Sequence, residues 1–265
     1  MFPFSDDVPS ERLPVVTIAI IVLNALAFLY VSGLSDESQQ LFVVEHGFIP
    51  ARLTELPKGR AIAIDLDELA GQSHLSSPFA VHKRLRLPAA PREILLTLLT
   101  SLFLHGGWMH LIGNMWFFWI FGDNVEDRLG HGLFLAFYLA GGVFASLCHW
   151  YSDPASGVPV IGASGAVAAI LGAYAVTWPL ARIRCIVVLI VFVTLIELPA
   201  LIVLGFWFLT QILEASRQMQ LGVSGGVAFW AHVGGFLAGT IAMPLLRGPA
   251  PPRREYVSPP PEMRF

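Results

Sequence analysis

The chain has 265 residues, 55% hydrophobic and 13% charged, with a formal net charge of −3 and a mean hydropathy of +0.67. A soluble domain carries about 45–50% apolar and about 25% charged residues, so this composition excludes a soluble globular protein and indicates a polytopic, all-α membrane protein. No basic, aromatic-interleaved stretch points to nucleic acid.

A hydrocarbon core about 30 Å thick needs about 20 apolar residues per helical crossing, and six stretches meet or approach that length. The first, residues 15–31, is entered through Pro14, a favoured first helical position. Only Arg12 precedes it among the basic residues and no convincing small-x-small cleavage site follows, so it reads as a retained anchor and not a secretory signal. Residues 34–92 form a long polar connection on the outer side, with room for membrane-surface helices or a partner site. An apolar stretch at 94–104 stops at Gly106-Gly107 and leads into the second span, 108–121. The third is 132–151, and the fourth is 164–178, ended by Pro179. The fifth is 185–213, broken at Glu197-Leu198-Pro199, and the sixth is 229–246. The tail, rich in Pro and Arg, is expected to be disordered. The chain therefore divides into an N-terminal segment with the first span (1–33), an outer loop (34–92), a core of helices two to six (93–246) and a cytoplasmic tail (247–265).

Arginines in the short connections set the orientation. Arg12, Arg128, Arg182, Arg184, Arg247, Arg253, Arg254 and Arg264 fall on the side of the N-terminus, and the short outer loops hold only Arg217. Both termini are expected in the cytoplasm, with the protein in a bacterial inner or plasma membrane. Cys148 and Cys185 then lie near opposite faces, beyond the roughly 7 Å that bridged Cα atoms tolerate.

Counting up from the inner boundary at about 1.5 Å per residue puts Ser164 roughly 21 Å above Trp178, His232 roughly 22 Å above Arg247 and His110 roughly 20 Å above Asp123. Three helices thus deliver a serine and two histidines to one level, roughly 8–10 Å below the outer surface of the hydrocarbon. Asn114 projects from the same helix face as His110, one turn deeper. Ionisable groups inside a span are expensive and usually mark function. A serine hydroxyl becomes a nucleophile when a base takes its proton, and neutral histidine suits that task near pH 7. Ser164 opens its helix, where free backbone N–H groups and the helix dipole favour an oxyanion. Glu197 is the only carboxylate well inside a span and has no evident pairing, so the expectation is a Ser-His dyad and not a triad.

These residues resemble the rhomboid family of intramembrane serine proteases, over residues 95–246. The matching pieces are Gly162-Ala163-Ser164-Gly165, His110-x-x-x-Asn114, and Ala231-His232-Val233-Gly234-Gly235 with Gly239. The resemblance implies a six-transmembrane-helix rhomboid-like bundle, with Ser164 as nucleophile and His232 as general base. His110, Asn114 and the Ser164 backbone N–H would stabilise the oxyanion, and Gly162, Gly165, Gly235 and Gly239 would support the motif. Gly235 and Gly239, four apart, would let the sixth helix approach the fourth closely. The stretch 122–130 looks like the family's inner loop, with Glu126 structural, and His105 is read as a structural loop residue. One departure is Ala168, where family members often carry an aromatic residue against the catalytic histidine; Phe229, Trp230 or Tyr174 would have to support the ring instead. The implied partners are transmembrane protein substrates and the lipid bilayer, with no metal or organic cofactor. The alternative is a catalytically inactive rhomboid-like protein that binds membrane-protein clients. A small-solute transporter is disfavoured because paired repeats with broken helices are missing.

Overall fold

Backbone groups in hydrocarbon must find partners within their own segment, so apolar stretches cross as helices. The computed structural model describes residues 2–66, 84–189, 192–221 and 227–246. Strand β1 (Phe2–Ser5) precedes helix α1 (Val15–Ser32), then α2 (Asp36–His46), α3 (Pro50–Glu55), β2 (Ile62–Asp65) and β3 (Arg84–Leu87). Next come α4 (Pro91–Thr100), α5 (Trp108–Leu129), α6 (His131–Ser152) and α7 (Ser164–Thr177). The chain continues through β4 (Arg182–Leu189), β5 (Phe192–Pro199), α8 (Ala200–Leu221) and α9 (Phe229–Leu246). Helices α1, α6, α8 and α9 are long and apolar enough to cross a membrane. Pro91–Phe103 and Trp108–Leu129 pass that test together but are bent by 81° at the break around Gly106-Gly107, and α7 is a shorter apolar helix. This set is compatible with the six-membered bundle expected from the sequence.

Helix α7 is buried along nearly its whole length, from Gly165 to Ala175. It packs against α5, α6 and α9, and its small side chains let those helices close around it.

Expectations for the fifth span and for the end of the second need correction. The fifth span does not begin at residue 185: Arg182–Leu189 and Phe192–Pro199 pair as an antiparallel hairpin, and the helix starts at Ala200. An unbroken apolar run has no period that separates a buried strand from a helix, and this one is rich in Val and Ile, which favour strands. Strand β1 completes a three-stranded sheet by pairing Phe2 with Ile186. Glu197 lies in this hairpin, outside any span, and pairs with Arg182 (3.5 Å) and Arg184 (3.2 Å). Cys185 belongs to β4, and both cysteines are free. Within 34–92, the described residues 34–66 and 84–92 include helices and strands. Helices α2 and α3 and the β2–β3 hairpin enclose a small core of Val44, Ile49, Ile64, Leu66 and Leu87. Phe48 bridges to Val160, and Thr54 donates to the Pro154 carbonyl (2.6 Å), which ties this unit to the segment ahead of α7. Residues 67–83 and the tail 247–265, including Arg247, Arg253, Arg254 and Arg264, lie outside the described residues.

Helix α5 continues to Leu129, past the end expected at 121, and this extension carries Glu126. Helix α1 begins after Pro14 with no side-chain cap of its own. The buried Glu126 carboxylate supplies one, accepting from Val16 N (2.8 Å), Thr17 N (2.7 Å) and Thr17 Oγ1 (2.7 Å). A carboxylate there meets both the orphan donors and the positive end of the helix. His131 Nδ1 lies 2.6 Å from Glu126 Oε1. Ahead of α1, Asp6 accepts from Asn124 Nδ2 (2.9 Å) and from the Tyr174 hydroxyl, and Asp7 accepts from Arg182 N (2.8 Å). The first residues are thereby fastened to α5, α7 and β4.

Glu126→Ala removes three acceptor contacts at the start of α1, at about 1–3 kcal/mol for each buried donor left unmet. The thermal midpoint in detergent should fall, and further than in Glu126→Gln, which keeps one oxygen; equal midpoints for Glu126→Ala and wild type would contradict the capping role. Burial raises the Asp6 carboxyl from 3.8 to about 6, so the folded protein holds a proton that the unfolded chain releases earlier. That stabilising contribution is complete below about pH 4 and lost as pH rises through about 6. Asp6→Asn should flatten the dependence of the midpoint on pH over this window, and parallel curves for the two proteins would refute the assignment.

Candidate active site

Helix α7 starts where Gly162 adopts φ 121°, a left-handed value that side chains disfavour. Its N–H donates to the Ser101 carbonyl (2.9 Å), which anchors the turn to the segment after α4. Two residues later Ser164 opens the helix, so its first-turn N–H groups have no intrahelical acceptor. A Cβ built on Gly162 would lie 2.7 Å from His110 Nε2 and 3.7 Å from Ser164 Oγ. The glycine therefore leaves open the space that the imidazole and the hydroxyl share.

His110 stands in the first turn of α5. Its Nδ1 accepts a long hydrogen bond from Gly106 N (3.5 Å), an arrangement that puts the proton on Nε2, the nitrogen beside Gly162. Asn114 donates from Nδ2 to the His110 carbonyl (2.9 Å), and a primary amide keeps a second N–H to offer. Asn114, Ser164, His232, His110, Gly162 and Gly165 all line one cavity of about 1260 Å³.

His232 reaches this cavity from α9. Its Nδ1 lies 2.7 Å from Gln211 Oε1 on α8. Trp207 and Phe229 flank the ring, each with its centroid 6.0 Å away. Ser164 and His232 share the cavity without a hydrogen bond between them among the described residues, and such contacts often tighten only when substrate binds.

Glycines bring α7 and α9 together. A Cβ at Gly235 would collide with the Gly165 carbonyl, one at Gly239 with the Ala169 carbonyl, and one at Gly172 with the Phe236 carbonyl. Ala168 Cβ sits 3.2 Å from the position a Gly235 Cβ would take, so an aromatic ring at 168 has no room in this packing.

Of the three aromatic supports considered from the sequence, Phe229 flanks the His232 ring and Trp230 lines the cavity. Tyr174 is engaged elsewhere, with Asp6. Sequence reasoning missed Trp207 and Gln211. They are four residues apart on one helix face, and a lone amide in an apolar run is a visible signal; beginning the fifth span at 185 left its depth unset. His105 lines the cavity with its ring buried, 5.0 Å from the His110 ring. Among the described residues no group of three or more His, Cys, Asp or Glu is placed to hold a metal ion. The cavity thus gathers a hydroxyl, a neutral base and several N–H donors, the components of acyl transfer to serine.

The family model for the Rhomboid domain matches residues 92–249. The chain is 33% identical over 163 residues to Rhomboid-like protein 11, chloroplastic, of Arabidopsis thaliana, covering 56% of this chain and 51% of that protein. It is 34% identical over 98 residues to Presenilin-associated rhomboid-like protein A, mitochondrial, of Danio rerio, covering 36% and 25%. With Rhomboid protease GluP of Bacillus subtilis (strain 168) it shares 42% identity over 76 residues, covering 29% and 14%. The chain spans about half or less of the length of each of these relatives.

Gly239→Ala should force α7 and α9 apart. Overpacking of this kind costs about 1–3 kcal/mol, or roughly 2–12 °C in thermal midpoint at this size. An unchanged midpoint would show that the two backbones have slack at this crossing.

Proposed function

This chain belongs to the rhomboid family, and from that premise we propose that it is an intramembrane serine endopeptidase, cleaving peptide bonds in or near transmembrane segments of other membrane proteins. The observation that carries the reading is the meeting of Ser164 from α7 and His232 from α9 in one cavity, with His110 Nε2 beside Gly162 at its edge.

In this mechanism His232 Nε2 takes the proton of Ser164 as Oγ attacks the scissile carbonyl. The resulting oxyanion is met by the Ser164 backbone N–H, the His110 Nε2–H and the free Asn114 amide hydrogen. His232 then gives its proton to the departing amine, and water hydrolyses the acyl-enzyme with the same residue as base. His149, Ser146 and Ser156, which also line the cavity, give that water a polar route. The substrate helix enters laterally beside α8, unwinds at its outer end and places a small residue before the cleaved bond. Unwinding exposes backbone groups that lipid cannot satisfy, so Gly, Pro or small polar residues near the bond should favour cutting.

Arg12, Arg182 and Arg184 gather at the end of the bundle away from Ser164, where Arg12 pairs with Asp127 and β1 joins β4. On the positive-inside bias we read that end as cytoplasmic, with both termini on that side and the cavity toward the outer face of the membrane.

The test is labelling with a fluorophosphonate in liposomes. Wild-type protein should label, Ser164→Ala and His232→Ala should not, and Asn114→Ala should label about 10²–10³-fold more slowly. Absence of labelling in folded wild-type protein, or labelling that survives Ser164→Ala, would overturn the protease reading and favour a client-binding rhomboid-like protein.

A further inference from the structure

Resting on the reading of the site as a Ser-His hydrolase, we infer that Gln211 is a positioning residue that fixes the tautomer and tilt of the His232 ring. Its amide nitrogen donates to the Trp207 carbonyl (3.3 Å) and to Thr210 Oγ1 (3.1 Å). Those two acceptors decide which end of the amide is which, so the atom 2.7 Å from His232 Nδ1 is the oxygen. An amide oxygen only accepts. Nδ1 therefore carries the proton, and Nε2 keeps its lone pair, which is the state a base needs to receive the serine proton.

The geometry also restricts the ring's rotation. Gln211 and Trp207 lie one turn apart on α8, and both line the cavity. The indole of Trp207 is tilted 32° to the imidazole plane and Phe229 stands edge-on at 88°, each with its ring centroid 6.0 Å away. A hydrogen bond at one ring nitrogen and two aromatic walls leave the imidazole little freedom about χ2. In triads a carboxylate occupies this place. Glu197, the carboxylate that the sequence offers in this region, is held by Arg182 and Arg184 in the hairpin. A neutral amide supplies the same acceptor without burying a charge.

The experiment compares wild type, Gln211→Met and Gln211→Glu. Methionine keeps the length but has no oxygen, and glutamate keeps an oxygen at the same distance. Labelling by a fluorophosphonate is followed as kinact and KI, alongside the thermal midpoint and the 15N spectrum of histidine-labelled protein. In Gln211→Met, kinact should fall about 10–100-fold with KI and midpoint unchanged, and the His232 Nδ1–H signal should be lost. Gln211→Glu should recover most of the rate. A wild-type kinact in Gln211→Met, or retention of the Nδ1–H tautomer there, would overturn the role of Gln211 while leaving the hydrolase reading intact. A fall in kinact that merely tracks a fall in midpoint, or that glutamate does not restore, would also overturn it. Failure of folded wild-type protein to label would remove the hydrolase reading and this inference together.

Discussion

Everything in this molecule rests on two backbones touching. At the crossing of α7 and α9 the space where a Cβ of Gly235 or Gly239 would stand is filled by carbonyl groups of the opposite helix. Lipid tails are as apolar as leucine, so helices in a bilayer gain little from hiding greasy surface and associate through close packing instead. A helix that turns small residues to its neighbour, as α7 turns Gly165, Ala168, Ala169 and Gly172 to α9, is therefore a natural centre of such a bundle. The same closeness lets a serine at the head of one helix and a histidine in the next open onto one hollow.

The cost of polar groups in hydrocarbon organises the rest. Several buried polar side chains are matched across helix boundaries. Glu126 of α5 meets the bare start of α1, and Asp6 ties the N-terminal segment to Tyr174 and Asn124. Gln211 of α8 meets His232 of α9. None of these pairs is local in sequence, so each contributes to a particular arrangement of helices as well as to stability.

How far the sequence could be read follows from these contacts. Helix boundaries at 15, 164 and 229 were legible because Pro14, the Gly162-Ala163-Ser164 turn and the glycines at 222, 225 and 226 interrupt the apolar pattern. Helical rise alone put Ser164, His232 and His110 at one level, and the three line one cavity. The hairpin at 182–199 was not, since strand pairing with residues 2–5 is a long-range event that leaves no mark in a uniformly apolar run. Gln211 escaped for the same reason, because its helix was begun too early. The end of α5 was misplaced at 121 because Asp123, Glu126 and Asp127 look like a solvated loop, whereas the structure satisfies Glu126 against another helix.

Strand β1 has a practical side. Phe2 packs on Trp116 and Phe117, and Trp116 donates to the Pro3 carbonyl, while β1 itself forms the edge of a sheet whose last strand runs straight into α8. The amino-terminal residues therefore act as a foundation under the helix that carries Trp207 and Gln211. A purification handle or fluorophore joined directly at residue 1 would load that foundation.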